Sequence, residues 1–186
     1  MNGMVRRRAL VAVMAVLAVL VPWLGEVYYP WPYQPVFLRA AARYDLSPYL
    51  LAAVARSESR FDPGATSRRG AVGMMQVMPA TGRQVAGTEQ AAPALRSPGA
   101  SVQIGARYLR QLAQEFSSET AALAAYNGGE ANVRRWIARG VWRPGQSLLR
   151  IPYPETRDFV ARVERTSRWY AYLYPGKETW RDGAKR

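Results

Sequence analysis

A single carboxylate stands where chemistry would be expected. Glu58 follows an apolar, helix-patterned stretch, SPYLLAAVA (Ser47 to Ala55), and precedes RFDPGATSRRGAVGMMQVMP (residues 60–79). A carboxyl in the last turn of a helix meets the negative end of the helix dipole, and burial against apolar neighbours acts in the same direction. Both raise its pKa and suit it to general acid catalysis near neutral pH. The residues that follow are types a polar ligand would use. Gly70 and Gly73 let backbone approach a ligand closely. Met75 and Met78 offer polarizable apolar surface for a sugar face, and Gln76 both donates and accepts hydrogen bonds. Asp62 lies four residues after Glu58 but precedes Pro63, which disfavours a continuing helix. It reads as a turn cap, not a second acid.

Composition narrows the chemistry further. The 186 residues include no cysteine and no histidine. Ser-His and Cys-His nucleophiles, disulfides and the common transition-metal sites are therefore excluded, and no metal or other cofactor is expected. Lysine occurs twice, as Lys177 and Lys185, so catalysis must rest on carboxylates, hydroxyls or amides. The formal net charge is +13, carried almost wholly by arginine. Such a surface favours polyanions, an anionic cell wall among them. No nucleic-acid-binding motif accompanies the charge, so no nucleic-acid partner is expected.

The elements that would position Glu58 are helical. Arg6, Arg7 and Arg8 precede an uncharged apolar run over residues 9–25. This predicts a basic cytoplasmic tip (1–8) and a single-pass signal anchor (9–25), with the rest outside the membrane. Trp23, Tyr28, Tyr29 and Trp31 suit an interfacial aromatic belt. Pro22 to Glu26 makes a poor cleavage site, so secretion after signal cleavage is the alternative. Residues 26–35, rich in proline and aromatics, read as a semi-rigid linker off the membrane. Helices follow over 36–44, from Ser47-Pro48, over 79–86, from Ser97-Pro98, over 120–126, over 131–139 and over 155–174. No run of five or more residues alternates with period two, so no strand is expected. The fold class is mainly α: one helical domain over 36–176, with little or no sheet, after an N-terminal hydrophobic helix and before a polar tail (177–186).

Three motifs, in order, make a specific resemblance. ES-x-F-x-P-x-A-x-S-x-x-G-A-x-G-x-M-Q-x-M-P (Glu58 to Pro79), AYNGG (Ala125 to Gly129) and IPYPETRDFV (Ile151 to Val160) resemble those of the soluble lytic transglycosylase family. SPGASVQIGARYLRQL is similar to the helix that family places between its first two motifs. The resemblance implies a single lysozyme-like catalytic domain in a bacterial enzyme acting on peptidoglycan. It implies Glu58 as the one catalytic acid and base. Ser67, Gln76, Met78, Tyr126 and Asn127 would line the sugar subsites, and Glu155 would support the site. Phe159 stands where tyrosine is common, and Met74 where leucine is usual, a near volume-conserving exchange.

One carboxylate is enough for the reaction this implies. Glycosidases generally flank the scissile bond with two. In the family, one glutamate protonates the oxygen bridging N-acetylmuramic acid (MurNAc) and N-acetylglucosamine (GlcNAc), then deprotonates the muramic C6 hydroxyl. That oxygen closes on C1 as a 1,6-anhydro ring. A goose-type lysozyme-like hydrolase and a non-catalytic cell-wall-binding protein are the alternatives. The implied partners are glycan strands, the anionic wall and the membrane, for a monomer.

Overall fold

The computed structural model describes residues 2–177, except the side chains of residues 2–6, 17, 19 and 22. The tail expected at 177–186 lies outside the described residues apart from Lys177. In chain order the helices are α1 (Asn2–Tyr28), α2 (Gln34–Tyr44), α3 (Pro48–Ser59), α4 (Pro79–Ala86) and α5 (Ala91–Ala94). They continue with α6 (Pro98–Phe116), α7 (Glu119–Gly128), α8 (Glu130–Ala138) and, after a short 3₁₀ turn at Leu148–Arg150, α9 (Pro154–Leu173). Among the described residues, extended pairing is limited to isolated antiparallel bridges, Thr66 with Val72 and Val72 with Val77. The mainly helical expectation holds.

Local chemistry sets where helices begin. The Ser47 hydroxyl accepts the Leu50 N–H at 3.4 Å while Pro48 takes the first helical position. Ser118 caps α7 in the same way through the Ala121 N–H. Residues 48–55 of α3 and 121–125 of α7 are all buried. A helix apolar on every side belongs at the centre, and α9 packs against both. Phe159, Val160, Val163 and Tyr170 of α9 form its inward stripe.

Glycines bring the other helices close. At Gly105 of α6 a Cβ would lie 2.7 Å from that of Met75. At Gly128 a Cβ would lie 2.8 Å from Thr156 Oγ1, so the end of α7 rests on the start of α9. Helix α7 therefore runs through Asn127 and Gly128, beyond the stop expected at 127–129. Its cap is Gly129, at φ 88°, whose N–H bonds Ala125 O.

The N-terminal stretch differs from expectation. Residues 28–35 do not stand away as a spacer. Trp31 is only 8% exposed and packs on Phe37, Tyr49, Tyr170 and Tyr174. Tyr170 donates to Pro30 O at 2.9 Å, and Tyr174 donates to Tyr29 O at 3.0 Å. Of the aromatics expected at a membrane interface, Tyr29 and Trp31 thus strap this segment to the end of α9, whereas Trp23 and Tyr28 are exposed. Among the described residues no helix is long and apolar enough to cross a membrane, so the single-pass anchor expected at 9–25 finds no support there. Helix α1 does turn Leu10, Val11, Met14 and Val16 outward.

Candidate active site

Glu58 sits in the last turn of α3, half-buried, at a cleft of about 760 Å³. The cleft is lined also by Ser67 and Gln76 from the following loop and by Arg162 and Thr166 from α9. Burial pushes the Glu58 carboxyl up to about 7. The Arg162 guanidinium pulls it down, and Glu155 adds to the rise. Glu58 is therefore poised between its two protonation states near neutral pH. Asp62 is turned away from such a role, since its Oδ1 accepts the Gly64 N–H at 2.8 Å.

Gln76 reaches the cleft from the turn at 73–77, which is held from three directions. Ser59 of α3 donates to Met74 O at 2.8 Å. Ser101 of α6 accepts the Met75 N–H at 3.2 Å. Tyr126 of α7 donates to Met75 O at 2.8 Å. Gln76 adopts φ 46°, and its amide nitrogen donates to Gly73 O and Ala65 O at 2.9 and 3.2 Å. That leaves the amide oxygen as the group it can offer a ligand. The Ser67 hydroxyl accepts the Ala71 N–H at 3.0 Å within the same loop. Glu58 and the turn facing it are thus one assembly, because Ser59 links the helix end to the turn.

The sequence-predicted residues divide into groups. Glu58, Ser67 and Gln76 share the main cleft. Asn127 and Glu155 line a neighbouring cavity of about 390 Å³ with Arg69, Tyr153 and Thr156. Glu155 occupies the first turn of α9, where the helix dipole favours a carboxylate. Met78, 41% exposed, caps the start of α4 and lies outside both linings. Met75 is not a sugar platform. It is fully buried against Gly105. Gly73 serves its own chain, since a Cβ there would collide with the Leu95 carbonyl. Phe159 is buried in the core with the Arg162 guanidinium 5.9 Å from its ring centroid.

Tyr126, expected at the sugar subsites, braces the turn. Its hydroxyl is committed to Met75 O, and burial, followed by the Glu58 charge, pushes the phenol well above its ordinary value. It stays a neutral donor beside the acid. Tyr126→Phe would leave the Met75 carbonyl without its partner, at a cost of about 1–3 kcal/mol. A denaturant titration should show that loss. An unchanged midpoint would mean that the bond contributes nothing.

Sequence reasoning missed Ser59 and Arg162. Ser59 is part of the ES motif. Arg162 follows Glu155 by seven residues, two turns along one face of α9, and that spacing was the available signal.

Residues 35–148 match the family described as Transglycosylase SLT domain. The soluble lytic murein transglycosylase of Salmonella typhimurium strain LT2 is 32% identical over 162 residues, covering 82% of this chain and 25% of that protein. Among solved structures, the 70 kDa soluble lytic transglycosylase of Escherichia coli superposes with a TM-score of 0.73 at 29% identity, over 90% of this chain and 28% of that one. An inactive Glu-to-Gln mutant of lytic transglycosylase Slt from Pseudomonas aeruginosa gives 0.71 at 27% identity, over 80% and 25%. The chain thus spans about a quarter of the length of these relatives.

Proposed function

Because the chain belongs to the transglycosylase SLT domain family, we propose that it is a peptidoglycan lytic transglycosylase with Glu58 as its only acid and base. The observation that carries this is a lone carboxyl, held near pH 7 by burial at the end of α3 and facing a braced polar turn. The neutral carboxyl gives its proton to the oxygen bridging MurNAc and GlcNAc. The C1–O bond breaks, GlcNAc leaves with a free 4-hydroxyl, and positive charge spreads over C1 and the ring oxygen. The resulting carboxylate takes the proton of the muramic C6 hydroxyl, whose oxygen bonds C1. The product is a 1,6-anhydro ring, Glu58 is protonated again, and no water is consumed.

Ser67 and Gln76 bind sugar polar groups in the main cleft. Asn127, with Glu155 supporting it, extends the path for the strand into the neighbouring cavity, and Met78 meets a sugar face at the rim. Glu155 is not the second carboxylate of a hydrolase here. Its role is electrostatic, adding to the rise that burial gives the Glu58 carboxyl.

The same proposal places the domain outside the cytoplasmic membrane of a bacterium, as a monomer acting on the wall. The net charge of +13 suits that anionic polymer. Arg6 to Arg8 ahead of the apolar residues of α1 support attachment through that helix. The catalytic unit is residues 36–176, with Trp31 strapped to it.

A pH profile tests the assignment. The acid must be protonated in the free enzyme, so kcat/KM on peptidoglycan should be level below pH 6 and fall through an apparent pKa of about 7. Above that pH the loss should approach tenfold per pH unit. A rate that rises with pH, or stays level past pH 8.5, would remove Glu58 as the acid.

A further inference from the structure

The acid-base chemistry leaves the cations around Glu58 unused. Three arginines line the same cleft, Arg56, Arg60 and Arg162. Arg56 is committed to the fold, since its guanidinium donates to Tyr28 O and lies 4.8 Å from the Tyr29 ring centroid. Arg60, at the left-handed cap of α3, and Arg162, on α9, are exposed. Neither takes part in the salt bridges found among the described residues. The single carboxyl of Glu58 leaves at least one of these two cations without a counter-charge. Ser57, on the same lining, has an enclosed hydroxyl with no partner.

A guanidinium can donate to the hydroxyl and acetamido oxygens of a glycan, but its charge finds no counterpart there. A forked cation is suited to a carboxylate. The muramic ring whose C1–O bond Glu58 would break carries a lactyl ether at C3, amide-linked to a peptide stem with free carboxylates. That substituent leaves the same ring that must sit at Glu58. We infer that Arg162, aided by Arg60, binds a carboxylate of this peptide stem, so that the cleft selects peptide-bearing strands over bare glycan. This rests on the reading of the chain as a peptidoglycan-cleaving enzyme and adds a specificity determinant to it.

The test compares kcat/KM of the full chain on two samples of one strand preparation, one intact and one stripped of peptide by an amidase and then capped as the methylamide at the lactyl carboxylate that the amidase frees. The parent should prefer intact strands by about tenfold, the ratio expected for one charge-assisted hydrogen-bonded pair. Arg162→Gln should bring the ratio close to one, mainly by raising KM for intact strands, and Arg162→Lys should retain part of it. If Arg162 acts only on the Glu58 carboxyl, both substrates change by the same factor and the ratio stands, which overturns the inference. A parent that cleaves both samples equally well overturns it too. A parent that cleaves neither defeats the underlying reading of function.

Discussion

Replacing Glu58 by Gln should lower glycan cleavage at least about a thousandfold while making the protein more stable at pH 8. The first effect follows from asking one group to be both acid and base, since general acid-base catalysis contributes about 10²–10⁴-fold for a single positioned group. The second follows from linkage. In the unfolded chain the carboxyl ionises at 4.5, and in the fold at about 7. Below the unfolded value both states are protonated and the site costs nothing. Between the two values the unfolded chain is ionised while the fold still holds its proton, so stability falls as pH rises. Above about 7 the full penalty applies, about 3 kcal/mol from the difference between the two pKa values. Gln76 and the turn around it are unaffected, and a glutamine at 58 never ionises. Thermal unfolding of parent and variant should therefore nearly coincide at pH 4.5 and separate at pH 8, with Glu58→Gln the higher. A variant less stable than the parent at pH 8 would contradict the burial argument.

Gly73→Ala should be among the most destabilising single substitutions in the loop. The residue sits at φ 78°, where a side chain is strained by about 1–3 kcal/mol. Its new Cβ would also collide with the Leu95 backbone carbonyl and come 2.9 Å from Ser101 Oγ. The carbonyl is backbone and cannot rotate aside as a side-chain tip would, so α5 must shift. Gly73 further anchors the turn: its N–H bonds Ala65 O at 2.9 Å, and its carbonyl receives the Gln76 N–H at 3.0 Å and the Gln76 amide. A total loss of about 3 kcal/mol would lower Tm by roughly 6–12 °C for a chain of this size. Activity should fall with it, because Gln76 loses its support. Gly70→Ala is the control, with φ 86° but open space around the added carbon. It should cost only the backbone term. Equal, small effects at both glycines would show that the Leu95 contact is not the reason for Gly73.

The helical plan was legible because proline and serine mark helix starts directly. Pro48, Pro79 and Pro98 each open a helix where the spacing predicts one. The apolar pattern over 47–55 predicted a helix with Glu58 in its last turn, and α3 is that helix. Helix α5 was not legible, since four residues (AAPA) carry no periodicity. Asn127-Gly128-Gly129 looked like a helix stop because local propensity says nothing of Thr156, the neighbour that Gly128 makes room for. The same limit applies to Met75. Its residue type suits both a sugar face and a core, and only the hollow at Gly105 decides for the core. Tyr28 to Pro35 read as a spacer from its prolines, whereas Trp31 finds its partners, Tyr170 and Tyr174, about 140 residues along the chain. At the candidate site, the residue types of the Glu58 motif were legible. The bracing of its turn by Ser59, Ser101 and Tyr126 was not, because those three come from separate helices.

The most direct test of the central claim is the mass of the sugar products released from peptidoglycan by the full chain, with Glu58→Gln as the control. Muropeptides one water lighter than those of a hydrolytic lysozyme, carrying 1,6-anhydro ends, are expected from the full chain, and none from the control. Products at the hydrolytic mass would contradict the claim, since water and not the muramic C6 hydroxyl would then have attacked C1.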